Sequence, residues 1–153
     1  MLRLARKYAA DGGRALDVGS RDCQYITWFD WFTEKYTLDL ESSPELAEVT
    51  AITADFMTYT PQKHFDLVLC LQVLEHLADP HPFCQKLLST GRIVIVSVPY
   101  MWPKGMCRYH KQDPVDVSNL LEWAGKPWIE HTIVTDGNYD RLVAAFAGNG
   151  ATK

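Results

Sequence analysis

Apolar positions along the chain follow two periods. Leu2, Leu4, Ala5, Tyr8 and Ala9 fall at helical spacing, and Asp11-Gly12-Gly13 ends that helix, because glycine accepts the left-handed backbone of a helix exit. Ala15 to Val18 is a short buried strand. Tyr25, Ile26, Trp28, Phe29 and Phe32 return to helical spacing and predict a second helix from about Cys23 to Lys35, with its aromatic stripe in the core and Trp31 exposed as an interface mark. Tyr36 to Leu40 is the second strand, Ser43-Pro44 opens a helical turn, and Val49 to Ile52 is a short third strand ending at Ala54-Asp55-Phe56.

Phe65 to Leu71 is a near-continuous apolar run, the pattern of a central strand covered on both faces. Asp79 and Pro80 supply the cap and first position of a helix whose stripe is Phe83, Leu87 and Leu88, and which Gly91 ends. Arg92 to Val98 is a second fully buried strand, rich in β-branched residues. A long connection runs from Pro99 to Gln112; Asp113-Pro114 then starts a helix with Val117, Leu120, Leu121 and Ala124 on one face, closed by Gly125. Trp128 to Val134 and Arg141 to Phe146 are the last strands, joined across Asp136-Gly137-Asn138 as an antiparallel hairpin.

Strands alternating with helices predict an α/β fold with a mostly parallel sheet and an antiparallel last strand. Within it, Leu16-Asp17-Val18-Gly19 ends a strand at a glycine, and Asp39 ends the next strand about twenty residues on. That combination is how such sheets hold a nucleoside-bearing cofactor: glycine lets the backbone approach, and the acid accepts ribose hydroxyls. Glu41 competes with Asp39 for that role, and Asp17 serves either the loop backbone or the amino group of a ligand. Gly19-Ser20-Arg21-Asp22-Cys23-Gln24 lacks the Gly-x-Gly-x-x-Gly of a nicotinamide site.

At 153 residues, 47% apolar, the chain reads as one domain, 1–153, with 148–153 as a frayed tail. No run approaches the roughly 18 apolar residues of a membrane span, and no h-region follows Arg3, Arg6 and Lys7, so the expectation is a soluble, unprocessed, cytoplasmic protein away from membranes. A net charge of −4 with scattered basic residues argues against duplex nucleic acid. Cys23, Cys70, Cys84 and Cys107 form no CxxC pair and read as reduced thiols.

The ordered set of features resembles the class I S-adenosylmethionine-dependent methyltransferases over nearly the whole chain. Leu16-Asp17-Val18-Gly19 is similar to that family's first motif, Asp39 to its ribose acid, Asp55-Phe56 to the segment that meets adenine, and Phe65–Leu71 through Leu74-Glu75-His76-Leu77 to its fourth motif. The resemblance implies a Rossmann-like methyltransferase sheet, S-adenosyl-L-methionine as cofactor, and binding by Asp17, Gly19, Ser20, Arg21, Asp39, Leu40, Asp55, Phe56, Leu71 and Gln72. The chain departs from the family's Gly-x-Gly-x-Gly, with Arg21 and Cys23 at the other two positions, and it lacks a substrate cap. Arg21 can then pair with the methionine carboxylate of the cofactor.

His76 and His110 are the general-base candidates. Tyr100, Trp102 and Tyr109 in the connection after the fifth strand combine apolar bulk with polar tips, as a substrate lid does. Related methyltransferases carry Glu-x-x-Glu-His as metal ligands; here Gln72 replaces the first Glu, a weaker ligand for a hard cation, His110 offers a further ligand, and the expectation is no metal. His76, His81, Cys84, Cys107 and His110 fit no usual zinc spacing. The expected activity is methyl transfer to O or N of a small-molecule or sugar-like acceptor. The alternatives are a catalytically degenerate methyltransferase-fold scaffold and a metal-assisted enzyme using Glu75 and His76. The oligomeric state stays open, a homodimer included.

Overall fold

The structure is a computed structural model that describes residues 1–41 and 45–149. Helix α1 (Leu2–Tyr8) leads into β1 (Arg14–Val18), β2 (Glu34–Asp39), β3 (Val49–Thr53) and β4 (Phe65–Leu71). Helix α2 (Pro80–Thr90), β5 (Gly91–Pro99), α3 (Val117–Ala124), β6 (Glu130–Asp136) and β7 (Tyr139–Ala147) complete it. The strands form one sheet in the order β3-β2-β1-β4-β5-β7-β6. β1 to β5 are parallel, and β7 inserts antiparallel between β5 and β6. The strand order reverses between β1 and β4, so a crevice opens where their carboxyl ends diverge.

Alternation along the central strands divides the core. Leu16, Val18, Val68, Cys70, Val94 and Val96 pack under α2 and α3 with Leu87, Leu120 and Trp123. Ala15, Leu67, Leu69, Ile93 and Ile95 pack on the other face with Leu4 and Ala5 of α1 and with Ile26, Phe29 and Phe32. Both faces are thereby covered, as the apolar runs of β4 and β5 require. The hairpin turn is Gly137-Asn138, between the paired Asp136 and Tyr139; β6 is shifted two residues along, from the expected Trp128–Val134 to Glu130–Asp136, and β7 extends beyond the expected Arg141–Phe146 at both ends.

The predicted helix from Cys23 to Lys35 does not form. Its place holds a single 3-10 turn, Tyr25–Trp28, and β2 already begins at Glu34. The backbone bonds are i to i−3: Thr27 N to Gln24 O, Phe29 N to Ile26 O and Phe32 N to Phe29 O. The buried set is therefore Ile26, Phe29 and Phe32, a period of three, which over so short a stretch resembles a helical stripe. Aromatic and β-branched residues give this segment little helix propensity, and tertiary contacts decide it. Trp28 is exposed rather than core. Trp31 is half-buried rather than exposed: its Nε1 donates to Ala9 O, and the Arg6 guanidinium lies 3.5 Å above its ring.

Three boundaries also move. β2 stops at Asp39, leaving Leu40 exposed. α3 starts at Val117 with Asp116 as its cap, so Asp113 does not open a helix. Gly148 N donates to Arg92 O and Asn149 N to Leu88 O, which ties the chain down as far as Asn149. The turn expected at Ser43-Pro44 and the tail from Gly150 lie outside the described residues. Cys23, Cys70, Cys84 and Cys107 are free thiols.

Candidate functional site

The parallel strands end on one rim of the sheet, and antiparallel pairing brings the start of β7 there too, with Arg141 beside Pro99. Three residues just past the ends of β1, β4 and β5 have left-handed backbones without being glycine: Arg21 (φ 47), Gln72 (φ 59) and Met101 (φ 56). Such conformations cost about 1–3 kcal/mol each and concentrate at functional sites. Each is held by a hydrogen bond, from Arg21 N to Asp39 Oδ2, Gln72 N to Ser97 O and Met101 N to Val115 O.

On the β1 side, Asp17 is buried, and among the described residues its Oδ2 has no hydrogen-bond partner. Its register partner on β2, Thr37, leaves a buried hydroxyl unpartnered as well. Burial, and then the charge of Asp39, push the Asp17 carboxyl up to about 7. Gly19 has φ +74, and its N–H donates to Leu38 O. A Cβ on Gly19 would lie 2.5 Å from Val73 Cγ2, so only glycine fits beneath that methyl. Ser20 is buried behind this loop. The Asp39 carboxylate accepts from Arg21 N at 2.8 Å and from Glu41 N at 3.0 Å, binding the loop after β1 to the end of β2.

One expected adenine contact, that of Phe56, is lost. Asp55 Oδ1 accepts from Met57 N, which closes a turn of its own segment. Phe56 is 3% exposed and packs on Phe83, ring centres 4.9 Å apart, so it belongs to the core and offers no stacking face.

On the β4 side, Leu71 ends the strand, and Gln72 turns away from the crevice, its Nε2 donating to Ser97 Oγ at 3.0 Å. The next turn carries Glu75 and His76. The Glu75 side chain is 1% exposed with neither oxygen hydrogen-bonded, and desolvation pushes its carboxyl up to about 8. His76 Nε2 lies 3.9 Å from Glu75 Oε1, and its Nδ1 lies 3.3 Å from Tyr109 O. Desolvation lowers the His76 pKa, and the neighbouring His110 and Arg21 act in the same direction.

The connection after β5 folds back over this turn. Lys111 N donates to Glu75 O, and Gln112 Nε2 donates to Leu77 O. His110 thereby reaches His76, ring centres 4.8 Å apart, and its Nδ1 lies 2.8 Å from Asp113 Oδ2. Trp102 packs beside the His110 ring at 5.7 Å and donates from Nε1 to Asp140 O. Tyr109 is exposed on the outer side of the same connection, and Tyr100 packs at the edge of the core. The two histidines and the aromatic loop thus meet, as does the group of Asp17, Gly19, Ser20, Arg21 and Asp39.

Asp113 and Val73 are the residues the sequence reading passes over. Asp113 carries a signal, His110-x-x-Asp113; Val73 carries none, since its role comes only from β1 and β4 being neighbours. A surface cleft of about 360 Å³, lined by Tyr59, Pro61, His64, Lys86 and Thr90, lies at the opposite rim, away from these residues.

An adenosyl cofactor is the group this fold implies, and the residues at the crevice fit it. The fit rests on the unpartnered Asp17 oxygen at the end of β1 and the Asp39 carboxylate at the end of β2. No protein-family model and no curated protein matches the chain. Solved structures do. N-methyltransferase NodS from Bradyrhizobium japonicum WM9 superposes with a TM-score of 0.69 at 13% identity, over 96% of this chain and 91% of that one. The 1,6-didemethyltoxoflavin-N1-methyltransferase of Burkholderia thailandensis gives 0.73 at 15%, over 95% and 75%. Magnesium protoporphyrin IX methyltransferase from Synechocystis PCC 6803 gives 0.70 at 16%, over 94% and 77%. With its strand order and these likenesses, the chain has the class I methyltransferase fold.

Proposed function

We propose that this protein binds S-adenosyl-L-methionine and transfers its methyl group to a hydroxyl or amine of a small-molecule or sugar-like acceptor. The observation that carries the reading is the meeting of His76 and His110, ring centres 4.8 Å apart, beside the β1–β4 crevice of a methyltransferase fold. Bound S-adenosylmethionine supplies a methyl group already activated on a sulfonium. The chain's own task is to hold both reactants in line and keep water out.

Asp39 is suited to the ribose hydroxyls, since each of its oxygens keeps a lone pair beyond the amide it already accepts. Gly19, Ser20 and Arg21 would face the methionine end, with the Arg21 guanidinium against its carboxylate. Asp113 fixes the Nδ1 of His110 and leaves Nε2 free to take a proton from an acceptor hydroxyl. The lowered pKa of His76 keeps its imidazole neutral at pH 7, as a base must be. Of the lid aromatics Tyr100, Trp102 and Tyr109, it is Trp102, packed beside His110, that would give an acceptor ring an apolar wall.

A second reading, a non-catalytic binding protein on the same fold, is favoured by Val73 lying directly over Gly19. Calorimetric titration with S-adenosylhomocysteine separates the two. The methyltransferase reading expects micromolar binding, weakened at least about tenfold, or 1.4 kcal/mol, by Asp39→Ala. Absence of heat at millimolar ligand would leave the binding-protein reading.

A further inference from the structure

Glu75 poses a problem that methyl transfer does not solve. Its side chain is 1% exposed, and among the described residues neither carboxylate oxygen has a hydrogen-bond partner. An unpartnered buried carboxylate is costly, and buried charges are normally paired or bound to a metal. The titratable and charged groups around it are the imidazoles of His76 and His110, the Asp113 carboxylate and the Arg141 guanidinium, and among the described residues none of them hydrogen-bonds it. One ligand atom from each of Glu75, His76 and His110 can be chosen so that all lie within 4.8 Å of one another. A tetrahedral ion at about 2.0–2.2 Å from its ligands holds them about 3.4 Å apart, so the furthest pair must draw in by up to about 1.4 Å. His76, with its side chain 39% exposed, has the freedom to make that movement.

The surroundings of the histidines point the same way. Asp113, itself 2% exposed, engages Nδ1 of His110 at 2.8 Å, and Tyr109 O lies 3.3 Å from Nδ1 of His76. Both rings are therefore oriented through Nδ1, and both keep Nε2 for a ligand. A carboxylate or a backbone carbonyl behind each ligating imidazole is the usual outer support of a metal site, fixing tautomer and ring angle. Gln72 takes no part, since its amide is turned to Ser97.

We propose that Glu75, His76 and His110 bind a first-row divalent transition ion, Zn2+ or one of its neighbours, with Asp113 holding His110 in its ligating tautomer. Two imidazoles and one carboxylate suit such ions, whereas Ca2+ and Mg2+ prefer oxygen ligands. Three protein ligands leave one tetrahedral position open. The bound ion would occupy the Nε2 atoms that otherwise serve as bases and would take over their role, lowering the pKa of an acceptor hydroxyl at the open position so that its proton passes to solvent; in this way the ion deepens the proposed methyl transfer. That role rests on the methyltransferase reading; the binding of the ion does not.

The test uses the full chain, stripped with a chelator and then titrated with Zn2+ alone. One equivalent is expected to bind with micromolar or tighter affinity and to raise the melting temperature. His76→Asn and His110→Asn should each weaken binding at least about 100-fold, and Asp113→Asn by roughly 10- to 100-fold. His81→Asn, outside the cluster, should change nothing. With Co2+ in place of Zn2+, an intense visible absorption reports tetrahedral ligation, and Glu75→Gln should abolish it. Because His76 is partly exposed, its variant keeps the fold, and loss of the Zn2+-induced melting shift in it is diagnostic. Binding retained in His76→Asn, or no binding at millimolar Zn2+, overturns the proposal. S-adenosylhomocysteine binding without Zn2+ binding would remove the metal site alone; Zn2+ binding without S-adenosylhomocysteine binding would remove only the methyl-transfer reading.

Discussion

Val73 and Gly19 meet across neighbouring strands, and their contact governs the mouth of the crevice. The left-handed glycine and the methyl above it fit each other too closely for any other residue at position 19. If that methyl also covers the place where a nucleoside would enter, binding must displace it and loses affinity by the fraction of time it is in place. Val73→Ala is expected to tighten S-adenosylhomocysteine binding by roughly three- to tenfold while costing about 1 kcal/mol of stability for the lost packing. Calorimetry beside a denaturant titration checks both, and an unchanged affinity would mean that Val73 stands clear of the ligand path. Gly19 and Asp39 were legible in the sequence because a strand end and a turn are local patterns. His76 and His110 were legible as candidates, whereas the contact that joins them was not, because it is made by a loop folding back onto the turn after β4, through Lys111 N to Glu75 O.

At the scale of elements, caps and apolar runs read more faithfully than periods. β4 was legible to the residue, and α2 was marked by Asp79, whose side chain accepts from His81 N. The segment after β1 misled because i, i+3 spacing belongs to both helix types, and only contacts with α1 choose between them. α3 shows how local chemistry sets a boundary. Asp116 Oδ1 accepts from Asn119 N, and Asn119 Oδ1 accepts from Asp116 N, so the helix begins there although Asp113-Pro114 offers an earlier start. Gly125, with φ 64, closes it. Asp116→Ala removes half of that reciprocal pair and should cost about 1–2 kcal/mol, lowering the melting temperature by roughly 3–6 °C for a chain of this size. A melt unchanged within a degree would mean that packing of Leu120 and Trp123 fixes the helix start without the cap.

Across the whole molecule, two carboxylates give stability opposite dependences on pH. Glu130, at the start of β6, accepts from Lys7 and Tyr8 and pairs with Arg3, so it fastens α1 to the sheet edge. Lys7 first, then Tyr8 and Arg3, hold its carboxyl down at about 2 from an ordinary 4.5. A group whose pKa falls on folding adds stability above its unfolded value and loses it as pH drops toward its folded one. The gap between wild type and Glu130→Gln should therefore be widest above pH 4.5 and close by about pH 2. Asp17 runs the other way. Burial raises it from 3.8 to about 7, so the folded chain holds a proton that the unfolded chain has released, and stability falls as pH climbs through that window. The span of about three pH units sets an upper bound of roughly 4 kcal/mol. Asp17→Asn, which keeps the shape without the charge, should match wild type near pH 3 and exceed it increasingly from pH 4 to 8. Urea unfolding across pH 2–8 tests both variants together. Parallel wild-type and Asp17→Asn curves above pH 4 would mean that Asp17 is solvated or paired in the folded chain, and its unpartnered oxygen would no longer argue for a ligand at the rim.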